Sequence, residues 1–515
     1  MMAPTLTPAS RDACTFLVRA AGSCARMVRR SASSWGCERP PRSGAGRSQA
    51  SRRGTCLASE MPRARPSRMR PVSSQEPLMF IRLARPLALL AALLAPLAPA
   101  SAAPGAGTPG GEPIRVGILH SLSGTMAISE TTLKDAMLMY IEEQNARGGV
   151  LGRPLEAVVV DPASDWPLFA EKARELLEVS EVAAVFGCWT SVSRKSVLPV
   201  FSELNGLLFY PVQYEGEESE RNVFYTGAAP NQQAIPAVDY LMEVEGVERW
   251  VLAGTDYVYP RTTNKILEAY LKANGVADED ILVNYTPFGH SDWQTIVAEI
   301  KAFGARGKRT AVVSTINGDA NVPFYKELAN QGVGAADIPV IAFSVGEEEL
   351  AGIDTAPLVG HLAAWNYFQS VETDENEAFV ERWRAFTGDP EDVTNDPMEA
   401  HWIGFNMWVQ AVEKAGTSDA DAVIDAIVGV EVPNLSGGVS RMLPNHHVTK
   451  PVLIGEIQDD GQFFVVDQTD DLVPGDAWSD YLPGSRDLVA DWTDPVSCGN
   501  YDRVKQRCGG AGAGQ

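Results

Sequence analysis

Short apolar runs alternate with helical stretches along most of this chain, and the alternation starts twice. IRVGILH (114–120), LEAVVVD (155–161), AAVFG (183–187) and LLFYP (207–211) read as strands. Runs this apolar suit strands covered on both faces. Helical spacing fills 131–147, 167–179 and 191–204. After Asn231 the series restarts with a helix over 232–244. RWVLAG (249–254), ILVNYTPF (281–288), TAVVST (310–315) and IPVIAFS (338–344) follow as strands, with helices over 261–273, 293–303 and 320–331. Such an order predicts parallel sheets with helices on both faces. Two series exceed one hydrophobic core, since domains peak near about 100–150 residues. The expectation is therefore an α/β chain of two lobes. HLAAWNYF (361–368) carries the chain back, two or three helices follow over 375–429, and Asp460-Gly461 marks a hairpin within 452–467. The first lobe is expected to hold 113–231 and 366–430. The second takes 232–365 and 431–470, and 471–515 form a tail without a clear period.

The segment ahead of this series differs in composition. Residues 1–78 hold fourteen Arg, no Lys, four acidic residues and four of the seven Cys. They show no sustained apolar period, so a disordered basic extension is expected. A basic nucleic-acid-binding arm and translated upstream sequence are the two explanations. The second is preferred because MFIRLARPLALLAALLAPLAPASA (79–102) has the secretory pattern. Arg82 and Arg85 precede an apolar stretch, Leu87 to Leu97, and Ala100-Ser101-Ala102 forms a small-residue cleavage site. That stretch is shorter than the about 20 residues a spanning helix needs. Export from a start near Met79 is the expectation, with 103–112 as a linker.

Residues 103–515 carry 27 basic and 62 acidic side chains, a formal charge of −35. This acidity argues against nucleic acid or anionic lipid as a partner and for an uncharged or cationic ligand. Only Cys188, Cys498 and Cys508 remain in this part. Export permits a disulfide, and Cys498 and Cys508 are near enough in sequence to pair. No Cys/His cluster has metal spacing, so neither metal nor cofactor is expected. Cys188 at a strand end has the place of a nucleophile. However, no GxSxG elbow accompanies it, and a single Cys is commonly a small buried hydrophobe. No enzymatic activity is expected.

Ligands of open α/β sheets bind at the carboxyl ends of the strands. Those ends are HSLSGT (120–125), GCWTS (187–191), YPVQY (210–214), GTDYVYP (254–260), NGD (317–319) and SVGEE (344–348). They hold aromatics, hydroxyls, amides and acids, with neither an Arg nor a phosphate loop among them. The set suits a flat, neutral ligand rich in N–H donors, such as urea. Asp319, Glu347 and the Gln213 carbonyl are candidate acceptors. Thr190 and Ser191 are candidate donors, and Trp189, Tyr210 and Tyr257 offer flat faces. Plainer roles exist for several: Trp189 and Tyr210 as core aromatics, Ser191, Asp256 and Asp319 as helix caps.

The ordered motifs GILHSLSGTMA, NARGGVLGRPLE, FGCWTSVSRKSVLPVFSELNGLLFYPVQYEG, GAAPNQQ and GTDYVYPRTTN resemble the urea-type branch of the type I periplasmic binding proteins. These are receptors for ABC importers, akin to branched-chain amino-acid binders and to the amide sensor of amidase operons. The likeness runs from about 114 to 470. It implies two Rossmann-like lobes joined by a three-strand hinge, a monomer that closes on its solute, and permease subunits as partners. It implies ligand contacts at Trp189, Ser191, Tyr210 and Tyr257. Strand-end logic adds Thr190, Gln213, Asn317, Asp319, Glu347 and Tyr367. Trp189, where the amide sensor usually has Tyr, and Val212, near where it has a hydroxyl residue, favour urea. A receptor for short amides or small amino acids, and an amide-sensing regulator, are the alternatives.

Overall fold

The computed structural model describes residues 110–482 except 352, together with the backbone of 488–489, 501–502 and 507–508. The basic extension, the signal segment, most of the linker, Cys498 and the Cys508 side chain lie outside the described residues.

Strands β1 (Ile114–Leu119), β2 (Leu155–Val160), β3 (Ala184–Gly187), β4 (Leu208–Tyr210) and β5 (Val223–Tyr225) build the first sheet. All pair in parallel, in the order β2-β1-β3-β4-β5. Helices α1 (Ala127–Ala146), α2 (Trp166–Arg174) and α3 (Ser191–Leu204) connect them. Thr190 caps α3 through its side chain, and Asn205 ends it in a left-handed conformation at φ 52°.

The second sheet contains β6 (Arg249–Thr255), β7 (Ile281–Thr286), β8 (Thr310–Thr315), β9 (Val340–Ala342), β10 (Leu362–Trp365), β11 (Leu453–Ile457) and β12 (Phe463–Gln468). The order is β12-β11-β10-β9-β8-β6-β7; β11 and β12 run antiparallel and the rest are parallel. Helices α4 (Ala234–Glu243), α5 (Val258–Ala273), α6 (Gln294–Gly304), α7 (Asn321–Asn330) and α8 (Glu347–Ala351) belong to this lobe. Alternate residues of the strands face opposite helix layers. Val251, Ala253 and Val312 pack with Val297, Ile300, Phe324 and Leu328 of α6 and α7. Trp250, Leu252 and Val313 pack with Leu241, Leu267 and Leu271 of α4 and α5. Each such buried aliphatic side chain contributes about 1.5–3 kcal/mol.

The chain then returns through α9 (Asp374–Thr387), α10 (Asp396–Ala415) and α11 (Ala420–Ile427) to the first lobe. Phe379, Trp383, Phe405 and Trp408 join the cluster that holds Val116, Ile118 and Phe186. The expected split at 431 differs from the packing. Val432, Leu435, Met442 and Val448 belong to the first lobe's cluster. A short hairpin, Glu431–Pro433 with Val439–Arg441, covers them before the chain re-enters the second sheet at Leu453.

Three crossovers therefore join the lobes, after Tyr225, after Trp365 and before Leu453. Buried polar groups bind them together. Asn366 Nδ2 donates to the carbonyls of Gln232 (3.0 Å) and Pro451 (2.7 Å). Lys450, fully buried, sits 2.8 Å from Glu399 and 3.7 Å from Asp396, and Asp396 accepts the Asn366 N–H at 2.9 Å. The start of the tail straps back across the first crossover: Asp476 N–H donates to Asn231 at 3.0 Å, and Glu217 N–H to the Ala477 carbonyl.

Candidate functional site

The site begins at the end of β3. Gly187 approaches β1 so closely that an added Cβ would lie 2.1 Å from the Leu119 carbonyl oxygen. Cys188, at φ 64°, then turns the chain sharply, its N–H donating to that same carbonyl at 2.8 Å. This turn delivers Trp189, Thr190 and Ser191 to the cleft. Tyr210, at the end of β4, donates its hydroxyl to the Trp189 carbonyl at 2.5 Å. The Thr190 hydroxyl oxygen accepts the Ser193 N–H at 3.1 Å, so this residue caps α3. Ser191 donates its hydroxyl to the carboxylate of Glu215.

The second lobe supplies the facing wall. Tyr257 and Tyr259 start α5, with ring centroids 6.1 Å apart, and Tyr257 lies 4.8 Å from Phe288. They pack with Val192 of α3 in one small interlobe cluster. Gln213 spans the lobes, its Nε2 donating to the Phe343 carbonyl and to Ser344 Oγ, both at 2.7 Å. Ser129 of α1 donates to Glu349 of α8 at 2.6 Å.

Burial holds the Tyr257 phenol well above its ordinary pKa, and Tyr210, Tyr259 and Glu215 add to the effect as its next largest causes. Those four groups therefore converge from both lobes. Within this cluster, Gln213 Oε1 and Trp189 Nε1 are buried without a hydrogen-bond partner. Leaving such groups unpaired costs about 1–3 kcal/mol each. A ligand with matching donors and one acceptor recovers that cost.

The structure thus brings Trp189, Ser191, Tyr210, Gln213 and Tyr257 together. Four expected residues stand apart. Asn317 is buried but folded onto its own loop, Nδ2 donating to the Thr315 carbonyl at 3.1 Å. Asp319 is exposed at the rim, where its N–H meets the Thr125 carbonyl at 3.4 Å. Glu347 accepts the Gln369 N–H at 2.7 Å, and the Tyr367 hydroxyl bonds Asn376 and Thr394, both at 2.6 Å. Glu347 lines a separate surface groove of about 1270 Å³ with Glu377, Arg384 and Asp460. Glu215, Tyr259 and Ser344 were not among the expected contacts. Tyr259 and Ser344 lie in strand-end segments, and Glu215 directly follows YPVQY.

Burial also raises the Cys188 thiol far above its usual pKa, so the protonated thiol is no nucleophile. Among the described residues no group of three His, Cys, Asp or Glu is placed to hold a metal.

A family model described as a periplasmic binding protein domain matches residues 114–484. The chain belongs to this family. Among relatives of this binding protein, Leu/Ile/Val-binding protein homolog 6 of Brucella melitensis is 24% identical over 364 residues, 68% of this chain and 90% of the relative. Leu/Ile/Val-binding protein homolog 7 of the same organism is 25% identical over 405 residues, 73% and 94% of the two chains. A solute binding protein of an ABC transporter from Rhodopseudomonas palustris HaA2, solved with p-hydroxybenzoic acid, superposes with a TM-score of 0.63. It is 20% identical, over 71% of this chain and 99% of that one. An amino acid ABC transporter substrate-binding protein from Pseudomonas fluorescens Pf-5 gives 0.61 at 18% identity, over 73% and 99%. These structural likenesses establish that the binding protein has the two-lobed fold of type I periplasmic receptors.

Proposed function

We propose that this binding protein captures urea between its lobes and delivers it, as an exported monomer, to the permease of an ABC importer. One observation carries the ligand reading. The buried guanidinium of Arg194, which bonds Ser191, is committed to the carboxylates of Glu215 and Glu218 at 3.0 and 2.9 Å. The cluster is rich in acceptors instead: Glu215, which binds Ser191, the unpartnered Gln213 Oε1 and the phenol oxygens of Tyr210 and Tyr257. Urea offers N–H groups to these acceptors and one carbonyl oxygen to a donor such as Trp189 Nε1. A ligand carboxylate would meet Glu215 with no uncommitted cation in the cluster among the described residues.

A small amino acid is the second reading, favoured by the names of the Brucella relatives. Its ammonium suits Glu215, but its carboxylate meets the same difficulty. Uptake separates the two. Cells deleted for this chain are expected to lose high-affinity uptake of radiolabelled urea and keep that of leucine. Loss of leucine uptake with urea uptake intact would refute the proposal. In the purified protein, Trp189→Ala and Tyr257→Ala should each weaken urea binding at least tenfold while the fold persists.

A further inference from the structure

Beneath the cleft lies a buried ionic network that a neutral ligand does not itself require. The Arg194 side chain is fully buried and lies between two phenol rings, its guanidinium carbon 4.6 Å from the centroids of both Tyr210 and Tyr214. Nε donates to Glu218 at 2.9 Å, Nη2 to Glu215 at 3.0 Å, and Nη1 reaches Ser191 Oγ at 3.3 Å. Lys195 pairs with the other oxygen of Glu218. The Tyr225 hydroxyl also donates to Glu218, at 2.6 Å. Tyr214 meets His447, whose ring burial pushes down to a pKa of about 4 and keeps neutral. Glu217 is turned away, its carboxylate accepting the Ser479 N–H at 3.0 Å. Two cations, Arg194 and Lys195, thus oppose two carboxylates, Glu215 and Glu218, within one bonded network.

Glu215 is the member bonded to the candidate ligand contacts, accepting the Ser191 hydroxyl, and its charge helps hold the Tyr210 and Tyr257 phenols protonated. An unbalanced carboxylate there would attract cations in a medium that screens charge poorly. Arginine suits the balancing role because it stays charged when buried, and its planar fork serves two carboxylates while stacking on aromatic faces.

We propose that Arg194 is a positioning residue that sets the charge selectivity of the cleft. By balancing Glu215 it tunes the site to a neutral planar N–H donor and against a cation of the same shape. The inference rests on the urea reading and deepens it.

Guanidinium, urea and nitrate are planar, trigonal and close in size, with charges of opposite sign about a neutral centre. Calorimetric titration with each at one pH and ionic strength tests the balance. The unaltered protein should bind urea at least tenfold more tightly than either ion. Arg194→Met should raise the guanidinium-to-urea affinity ratio at least tenfold. Arg194→Lys should hold that ratio near its original value even where both affinities fall. Glu215→Gln, which leaves the cation in excess, should raise the nitrate-to-urea ratio at least tenfold. Far-UV circular dichroism reports folding, and if Arg194→Met does not fold, Glu215→Gln decides alone. Urea binding with unchanged ratios in the folded variants would overturn the charge-balance proposal only. Failure of the unaltered protein to bind urea would overturn the ligand reading and this inference with it.

Discussion

Ser129 on α1 and Glu349 on α8 form a hydrogen bond between the two lobes, which a separation of the lobes would break. The two groups are buried, 2.6 Å apart, and belong to different sheets' layers. The other Glu349 oxygen stays within its own lobe, accepting the Gly346 N–H at 2.9 Å. Opening returns the Ser129 and Glu349 side chains to water. Leaving one partner of a buried hydrogen bond unpaired costs about 1–3 kcal/mol. Ser129→Ala removes that amount from the closed state and almost nothing from either lobe alone. If urea binds tightly only when the lobes close, its Kd should rise by the same free energy, roughly 5–150-fold. Unliganded thermal stability should change by less than about 2 °C, because no contact within a lobe is lost. Isothermal titration with urea gives the first number and a thermal melt the second. Thr131→Ala is the control: its exposed hydroxyl bonds only the Ala127 carbonyl of its own helix, at 2.8 Å. A Ser129→Ala Kd within twofold of the parent would refute the latch. An unliganded melting temperature that falls in step with affinity would refute it too, by showing that the bond holds the fold.

Burial pushes the carboxyls of Glu347 and Glu348 up to about 8, with Glu349 adding to both. Between the unfolded value near 4.5 and about 8 the native state holds protons that the unfolded chain has released. Stability should therefore fall as pH rises through that window, by up to about 1.4 kcal/mol per pH unit per group. Buried His361 and His447, lowered to about 4, act in the opposite direction only below 6.5. Denaturant melts from pH 6.5 to 8 should thus show the fall alone, and Glu347→Gln should flatten it; an unchanged slope would refute the assignment. Gly187→Ala places a methyl against the Leu119 carbonyl, so a chain that still folds should lose ligand binding through displacement of Trp189, read by titration. Lys450→Met leaves Asp396 and Glu399 buried without their cation. It should cost about 3–5 kcal/mol of stability in a denaturant melt. Glu399→Gln in that background should recover part of the loss.

The alternation of strand and helix was legible because parallel strands are covered on both faces and so read as unbroken apolar runs. Every strand expected from 114 to 344 forms, most within a residue or two of its expected bounds. Strand β5 was not foreseen: Val223–Tyr225 is three residues long and stands among Glu220, Arg221 and the first crossover, too short for a period. Helix α8, Glu347–Ala351, was not foreseen either, and in it Glu347 and Glu349 are buried. The hairpin at 431–441 packs on the first lobe although the next strand joins the second, a choice made by tertiary contacts alone.

The cleft was legible in part for a similar reason. Strand ends can be found from apolar runs, and Trp189, Tyr210 and Tyr257 stand at them. Which way a strand-end residue faces depends on its neighbours. Tyr367 turns to Asn376 and Thr394, and Glu347 to the backbone of Gln369, which no local pattern foretells. Glu215 lies well past the end of β4, and only its bonds to Ser191 and Arg194 tie it to the candidate site. No local pattern carries such a long-range pairing.

Calorimetric titration of the purified chain with urea and with leucine, at one pH and ionic strength, bears most directly on the nature of the ligand. In the proposed site, acceptors of both lobes lie together and the buried Arg194 guanidinium is already paired. Urea should therefore saturate the protein at one site per chain, with leucine at least a hundredfold weaker. Tight leucine binding with weak or absent urea binding would show that the cleft is built for a zwitterion.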